Sequence, residues 1–407
     1  MITTLSTRTE ARLFRAGSAL LGLRVLDDTV LQPPAGVPVT DRPFAALVPL
    51  ALLAVAAWAY PRLRGTARGA LALLLGVLGV ATGLDAVYYT SELGLSSDDV
   101  TGWLALPATL GLIGLGTGTL WRTLRRGGRR LARRTALGVG LLVTAFIAVL
   151  PVGVAYVHSH TARAVVPENR MGVPVRDVTF TSTDGLKLQG WYAPSRNGAA
   201  VIVFPGRKGP QAQARMLARH GYGVLLFDRR GEGRSEGQPN GWGWGGGRDV
   251  KGAIAFLERQ GVDRIGGLGL SVGGELMLQV AAETPALDAV VSEGAGARTM
   301  GDELDADLRW YDHVGAAISY GLRDLTLAIE TGETPPRRLD GLVEQLRQPA
   351  LLIAAPNSPN GERLNRRYTQ GSNAELWEIP ESAHIGGLRA RPAEYERRVV
   401  GFFDRSL

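Results

Sequence analysis

A serine flanked by glycines is the part of this sequence best suited to chemistry. The pattern Gly269-x-Ser271-x-Gly273 follows a short apolar run and precedes a run with helical character. This spacing predicts a nucleophile elbow, in which a tight strand-to-helix turn projects the serine hydroxyl above the end of a sheet. Small neighbours avoid clashes in such a turn, and the helix N-terminus behind the serine favours developing negative charge. Ser271 is therefore the candidate nucleophile.

The segments on both sides of Ser271 alternate between strand-like and helix-like patterns. Asp184-Gly185 lies between two strand-like runs and predicts a hairpin. Apolar runs typical of buried strands follow at 200–204, 223–228, 265–270, 287–292, 350–355 and 374–379, with helical patterns between them. A leading hairpin and repeated strand–helix units predict an α/β domain with a mostly parallel, doubly wound sheet over residues 175–407. Residues 294–347 are expected to form a helical cap insertion.

This domain resembles the α/β-hydrolase superfamily over nearly its whole length, in particular its dienelactone-hydrolase-like and serine-peptidase-like members. Besides the serine motif and the hairpin, three stretches carry the resemblance: Phe204-Pro205-Gly206, residues 227–235, and residues 381–387 around His384. The resemblance implies an α/β-hydrolase fold and a serine hydrolase that cleaves an ester, thioester or amide through an acyl-enzyme.

A neutral serine hydroxyl needs a base within hydrogen-bond reach to act as a nucleophile. The sequence contains five histidines, and His384 is the one that follows the final predicted strand. It also comes after the nucleophile in the chain, which is the order that the resemblance implies. His384 is therefore the candidate general base.

Two glutamates are candidates for the acid that would orient His384. In relatives an aspartate usually follows the strand that corresponds to 350–355, but Ser358 stands there in this chain. Glu362 lies further along the same loop, and Glu293 follows the preceding strand, where some relatives place the acid. Of the two, Glu362 is favoured. A triad without an acid stays open as well, since loss of the acid costs roughly 10⁴ in rate in a serine protease.

The resemblance also indicates where an oxyanion hole would form. Such a hole needs backbone N–H groups rather than particular side chains. By position these belong to Val272, directly after the nucleophile, and to Arg207, directly after Pro205-Gly206.

Composition and charge argue against several other functions. The chain lacks cysteine, a phosphate-binding P-loop motif and a zinc-binding His-Glu-x-x-His motif, so we expect neither a metal nor a cofactor. Residues 1–160 carry 15 arginines and 8 acids, and they account for the whole net charge of +7. A nucleic-acid-binding protein would concentrate this charge on its folded domain. The expected partners are instead a small-molecule, lipid or peptide acyl substrate and membrane lipid.

Four apolar segments precede the hydrolase-like domain, at about 43–60, 69–89, 102–121 and 135–157. Each is close to the roughly 20 residues that cross a bilayer, and tryptophans and tyrosines lie near their ends. We therefore expect a bundle of about four transmembrane helices at 43–157, followed by a linker at 158–174. The tail at 1–42 is too charged to span, and forms either a surface helix or a poorly ordered segment.

The arginines predict the orientation of these segments. The connection at 122–134 contains seven arginines and no acid, and the connection at 61–68 contains three arginines, so both should be cytoplasmic. The connection at 90–101 is acidic and should lie outside. This pattern predicts a multi-pass cell-membrane protein with an extracytoplasmic hydrolase domain. It also places the N-terminus outside, although the arginines of the tail favour the opposite side. If the first apolar segment does not span, the N-terminus would be cytoplasmic and the hydrolase domain would still lie outside.

Together these features predict a membrane-anchored serine hydrolase. Ser358 at the expected aspartate position motivates one alternative, a catalytically retired domain that acts as a membrane-tethered binding or scaffold module.

Overall fold

The computed structural model describes residues 6–31, 43–93, 100–125, 138, 140, 147–160, 163, 166–304, 310–357 and 362–407. The chain divides into two compact units. The first comprises Met1–Ala162 with Leu322–Glu330, and the second comprises Arg163–Gly321 with Thr331–Leu407. Ser271, His384 and both candidate glutamates belong to the second unit.

Among the described residues of 1–162, the regular structure is helical. Its helices are α1 (Thr7–Leu26), α2 (Pro43–Ala59), α3 (Gly65–Leu93), α4 (Val100–Arg125) and α5 (Ile147–Ser159). The Ser6 hydroxyl caps α1 by accepting the N–H of Thr9, which satisfies one of the free donors at the helix start. The predicted tail at 1–42 therefore contains a helix of 20 residues.

Among the residues that the structure describes, one helix, Val100–Thr123, is long and apolar enough to cross a membrane. Shorter apolar helices at Leu47–Arg62, Gly65–Val80 and Ile147–Ser159 coincide with the other three predicted segments. The structure thus contains one candidate for a membrane-spanning helix, and the bundle of four transmembrane helices stays a prediction. Residues 126–134 of the arginine-rich connection and 94–99 of the acidic connection lie outside the described residues.

A sheet of eight strands forms the centre of the second unit, in the order β1-β2-β4-β3-β5-β6-β7-β8. The strands are β1 (Arg176–Thr181), β2 (Lys187–Ala193), β3 (Ala199–Phe204), β4 (Gly223–Phe227), β5 (Arg264–Leu270), β6 (Ala289–Glu293), β7 (Ala350–Ala354) and β8 (Glu375–Glu378). β2 pairs antiparallel with β1 and β4, and the other neighbours are parallel. This mostly parallel sheet confirms the predicted α/β-hydrolase fold, including the hairpin at Asp184-Gly185.

Helices cover both faces of this sheet, with α7 and α8 in one core cluster and α6 and α14 in the other. The helices after β3 are α6 (Gln211–Arg219), α7 (Gly247–Arg259), α8 (Val272–Glu283), α9 (Met300–Leu304), α10 (Trp310–Thr331), α11 (Leu339–Val343), α12 (Asn365–Tyr368), α13 (Gly387–Ala390) and α14 (Pro392–Ser406). Alternate residues of β3 face opposite sides, with Ile202 in the core cluster of α7 and α8, and Val203 in that of α6 and α14. Burial on both faces explains why the central strands are continuous apolar runs.

Candidate active site

Ser271 lies between the end of β5 and the start of α8, which is the strand–turn–helix context that the motif predicts. Its φ is 53° and its ψ is −124°, a backbone conformation that L-residues rarely adopt and that costs about 1–3 kcal/mol. The Ser271 N–H donates to the carbonyl oxygen of Glu293 on the neighbouring strand β6, at 2.7 Å. The sheet therefore holds the serine in its strained conformation.

The glycines around Ser271 are required because backbone atoms, and at Gly274 the Ser292 hydroxyl, approach them closely. A Cβ at Gly269 would lie 2.3 Å from the carbonyl carbon of Gly273. A Cβ at Gly273 would lie 2.8 Å from the carbonyl oxygen of Phe204, and one at Gly274 would lie 2.4 Å from Ser292 Oγ. These contacts explain the glycines of the motif, because the start of α8 packs directly on the ends of β3, β5 and β6.

His384 lies in the loop after β8, with its ring between Ser271 and Glu362. Its Nε2 is 3.0 Å from Ser271 Oγ, and its Nδ1 is 2.7 Å from Glu362 Oε1. In the neutral tautomer that fits both contacts, Nδ1–H donates to the carboxylate and Nε2 accepts the serine O–H. This arrangement can remove a proton from the serine hydroxyl.

Glu362 is almost completely buried, with 1% of its surface exposed, at the start of the 3₁₀ turn Glu362–Leu364. Its second oxygen, Oε2, accepts the N–H of Ala355 at 2.7 Å. The two oxygens thus divide their contacts between the end of β7 and the ring of His384, which fixes the direction of the carboxylate. Ser358, which motivated the alternative of a missing acid, lies outside the described residues.

Glu293, the other predicted candidate for the acid, makes different contacts. Its Oε1 accepts the N–H of Gly387 at 2.8 Å, and its Oε2 accepts the hydroxyl of Tyr395 at 2.6 Å. Burial raises the pKa of Glu293, although both of these hydrogen bonds oppose the increase. The Glu293 carboxylate therefore supports the loop that carries His384, while the Nδ1 atom of His384 is occupied by Glu362.

The two predicted oxyanion-hole residues differ in their surroundings. Val272 is the first residue of α8, and the first N–H groups of a helix have no partner within the helix. The N–H of Arg207 instead donates to Asp228 Oδ1 at 2.9 Å, and the Arg207 side chain, which is 2% exposed, pairs with the same carboxylate. The Arg207 N–H therefore already has a buried carboxylate as its acceptor, and its place in an oxyanion hole stays a prediction.

Two features near the site were not predicted from the sequence. Gly294 has a φ of 80°, and a Cβ there would lie 3.1 Å from Cε1 of His384. Gly243, in the glycine- and tryptophan-rich segment at 241–247, has a φ of 69°, and a Cβ there would lie 2.5 Å from Cγ2 of Val272. Both glycines let neighbouring loops approach His384 and Val272 closely. The Glu293-Gly294 pair at the end of β6 is the sequence signal for the first of these glycines.

Charged side chains beside the site are paired with each other. Asp228 binds Arg207, and the buried Asp249 binds Arg230 at 2.7 Å. Across the part of the chain that the structure covers, histidine and acidic side chains form no group of three or more that could hold a metal ion.

Comparison with known proteins gives one family and several partial relatives. A sequence model of the family described as X-Pro dipeptidyl-peptidase (S15 family) matches residues 159–379, more than half of the chain. The polyketide transferase grgF of Penicillium sp. is 42% identical over 73 residues, which are 16% of this chain and 25% of that protein. The uncharacterized protein MT2364 of Mycobacterium tuberculosis (strain CDC 1551 / Oshkosh) is 34% identical over 164 residues, 36% of this chain and 58% of that protein.

The chain thus spans between a quarter and somewhat more than half of the length of these relatives. Among solved structures, the esterase Pf2001 of Pyrococcus furiosus aligns with a TM-score of 0.49 at 19% identity. That alignment covers 60% of this chain and 98% of the esterase.

Proposed function

Because the chain belongs to the X-Pro dipeptidyl-peptidase (S15) family, and is thus a hydrolase, we propose that it cleaves an ester, thioester or amide through an acyl-enzyme on Ser271. His384 acts as general base and Glu362 as the acid that orients it. The observation that carries this proposal is the continuous hydrogen-bonded chain from Ser271 Oγ through the His384 ring to Glu362, with distances of 3.0 and 2.7 Å.

In the first half of the reaction, Ser271 Oγ attacks the substrate carbonyl while His384 Nε2 takes the hydroxyl proton. The carbonyl π bond opens, and its oxygen becomes an oxyanion. The N–H of Val272 and the N-terminus of α8 favour this negative charge. The Glu362 carboxylate stabilises the imidazolium that has formed and keeps its own charge.

The tetrahedral intermediate then collapses. The bond to the leaving alcohol, thiol or amine breaks, and His384 Nε2–H protonates the leaving atom, which leaves an acyl-Ser271 ester. A water then gives its proton to His384 and attacks the ester, and the second collapse returns the proton to Ser271 Oγ. The net reaction is hydrolysis of one acyl bond, and the enzyme is regenerated.

The same proposal includes attachment to the cell membrane by the helices before the hydrolase domain. In its support, Val100–Thr123 is a candidate span, and apolar helices occur at the other three segments. Many large apolar side chains on α2 and α4 are exposed, including Leu52, Trp58 and Leu110. The arginine-rich connection at 122–134 then directs the hydrolase domain to the outer side.

Labelling with a fluorophosphonate probe tests the nucleophile. Wild-type protein and a control variant, Ser195→Ala in the loop before β3, should label equally, whereas Ser271→Ala should not label. Equal labelling of Ser271→Ala would exclude Ser271 as the reacting group.

A substrate panel tests the reaction. Purified protein is assayed with p-nitrophenyl esters of increasing chain length, an acyl thioester and an X-Pro p-nitroanilide. Hydrolysis that is lost in His384→Ala supports the proposal. Absence of both labelling and hydrolysis would instead favour the alternative of a retired, membrane-tethered binding module.

A further inference from the structure

We propose that α1 is itself a membrane-spanning helix, whose outer face contacts the hydrocarbon interior of a lipid bilayer and whose N-terminus lies in the cytoplasm. This inference rests on the membrane attachment proposed above. It replaces the expectation from sequence that the tail at 1–42 is too charged to span, and it reverses the predicted side of the N-terminus.

The first observation is that α1 lies antiparallel to α4 along its whole length. At one end Arg122 Nη2 donates to Glu10 Oε1 at 2.5 Å, and at the other end the Thr101 hydroxyl donates to Asp27 Oδ2 at 2.5 Å. Between them, a Cβ at Gly17 would lie 2.9 Å from Leu112 Cγ, so the two helices pack closely. The 20 residues of α1 extend about 30 Å, the thickness of a bilayer core.

The second observation is that two of the five charged side chains of α1, Glu10 and Arg24, point inward and are hydrogen-bonded. The other three, Arg8, Arg12 and Arg15, are exposed in its N-terminal half. Glu10 is 4% exposed, and besides Arg122 it binds Arg68 at 3.3 Å. Arg24 is also buried and donates to the Thr101 hydroxyl at 3.2 Å. Intramembrane charges in proteins face the bundle interior and pair with each other in this way. Counting the charges of α1 therefore overestimates the cost of placing it in lipid.

The outer face of α1 is apolar in its C-terminal half. From residue 16 to residue 26, each exposed side chain is apolar: Ala16, Ala19, Leu23 and Leu26. A helix on the surface of a water-soluble protein shows the opposite pattern, with its charged side chains outside and its apolar side chains in the core. The arrangement in α1 suits a surrounding medium that is itself apolar.

The exposed apolar face of α1 continues onto its neighbours, which identifies lipid as the occupant. On α2, Leu52 and Val55 are exposed, and on α4, Leu104 and Leu110 are exposed. Exposed tryptophans lie toward both ends of this apolar band, with Trp58 and Trp121 at the arginine end and Trp103 at the opposite end. Tryptophans are enriched at both interfaces of a membrane.

The ion pairs at Glu10 assign a side to the N-terminus. Arg68 and Arg122 belong to the two arginine-rich connections that the sequence places in the cytoplasm. Because Glu10 binds both of them, the start of α1 lies at the cytoplasmic end of the bundle. The tail arginines Arg8, Arg12 and Arg15 then obey the positive-inside rule. With α1 included, five crossings still lead to an extracytoplasmic hydrolase domain.

Cysteine labelling tests the side of the N-terminus in the full-length protein, because the chain contains no cysteine. Ser6→Cys places a thiol at the exposed start of α1, and Glu258→Cys places one at an exposed position in α7. In intact spheroplasts a membrane-impermeant maleimide should label E258C, and S6C should be labelled only after permeabilisation. Labelling of S6C in intact spheroplasts would overturn the inference. Protection of E258C would instead contradict the extracytoplasmic hydrolase domain in the proposed function.

A nitroxide attached at Ala19→Cys tests contact with lipid directly. In vesicles of phosphatidylcholine and phosphatidylglycerol, the spin label in A19C should collide readily with oxygen and rarely with a water-soluble nickel chelate, and a label in S6C should show the reverse. Ready access of nickel to A19C, or poor access of both reagents because a second copy covers the face, would overturn the inference. Fluorophosphonate labelling of Ser271 in the same variants reports on the proposed chemistry independently.

Discussion

Replacing the acid by its amide, Glu362→Gln, should cost most of the activity, and the reason lies in how the two carboxylate oxygens are used. Oε1 accepts from His384 Nδ1 and Oε2 accepts from the N–H of Ala355, both at 2.7 Å. A glutamine of the same shape offers one acceptor and one donor. Whichever way its amide is turned, one of the two contacts brings two donors together.

The magnitude follows from these two orientations. In the first orientation the glutamine oxygen contacts His384 and the amide nitrogen meets the N–H of Ala355. The unsatisfied buried donor disfavours this orientation by about 1–3 kcal/mol, which lowers its population by about 5- to 150-fold. In the reverse orientation, Nδ1 of His384 must act as the acceptor, so its proton moves to Nε2, which then cannot take the proton of Ser271. The imidazolium also loses its stabilising negative charge. We therefore expect kcat/KM to fall by roughly 10²- to 10⁴-fold, the upper value being that of the analogous change in a serine protease.

The assay is the rate of p-nitrophenyl ester hydrolysis, together with the rate constant for inactivation by a fluorophosphonate. Glu293→Gln is a matched control. Its oxygen can still accept the N–H of Gly387, and its amide nitrogen can donate to the hydroxyl of Tyr395, so activity should stay within about tenfold of wild type. The assignment of the acid would be refuted if E362Q kept activity within about tenfold of wild type, or if E293Q lost as much as E362Q.

Two further predictions concern stability, both measured as melting temperature by circular dichroism. Gly269→Ala should destabilise the protein by roughly 1–3 kcal/mol or more, because the new Cβ would meet the backbone of Gly273 at 2.3 Å. Gly315→Ala, on an open face of α10, should be neutral or stabilising by up to about 1 kcal/mol. An equal loss of stability in Gly269→Ala and Gly315→Ala would contradict this reasoning. Burial raises the pKa of the Glu293 carboxyl above its ordinary value of 4.5. At pH values above 4.5 the folded protein therefore holds more protons at this group than the unfolded chain does, so the free energy of unfolding falls as the pH rises through this range. Glu293→Gln removes this titration, so its melting temperature relative to wild type should rise from pH 4.5 to pH 8, and a pH-independent difference would contradict the raised pKa.

The sequence predicts the fold of residues 175–407 well because its signals are local. Asp184-Gly185 forms the turn between β1 and β2, and the continuous apolar runs become strands that are buried on both faces. The serine motif is equally local, since its glycines are required by contacts within a few residues of Ser271 and at the end of β3.

Features that depend on contacts between distant segments could not be predicted in this way. The availability of the Arg207 N–H depends on where Asp228, 21 positions later, directs its carboxylate. The pairing of the buried Glu10 charge depends on Arg122, which is 112 positions away. In both cases the sequence shows the type of the residue, whereas a distant partner determines what that residue can do.

The end of β6 shows why Glu293 resembles a catalytic acid in the sequence. Its carbonyl oxygen accepts the Ser271 N–H, and its carboxylate accepts the N–H of Gly387 in the loop that carries His384. The next residue, Gly294, leaves room for the His384 ring, since a Cβ there would lie 3.1 Å from Cε1. This short segment therefore contacts both Ser271 and the loop of His384, the proposed nucleophile and base, while Glu362 contacts the His384 ring. A buried carboxylate at the end of β6 can support the loop of His384, as Glu293 does, or it can orient the histidine, and its position in the sequence alone cannot distinguish the two roles.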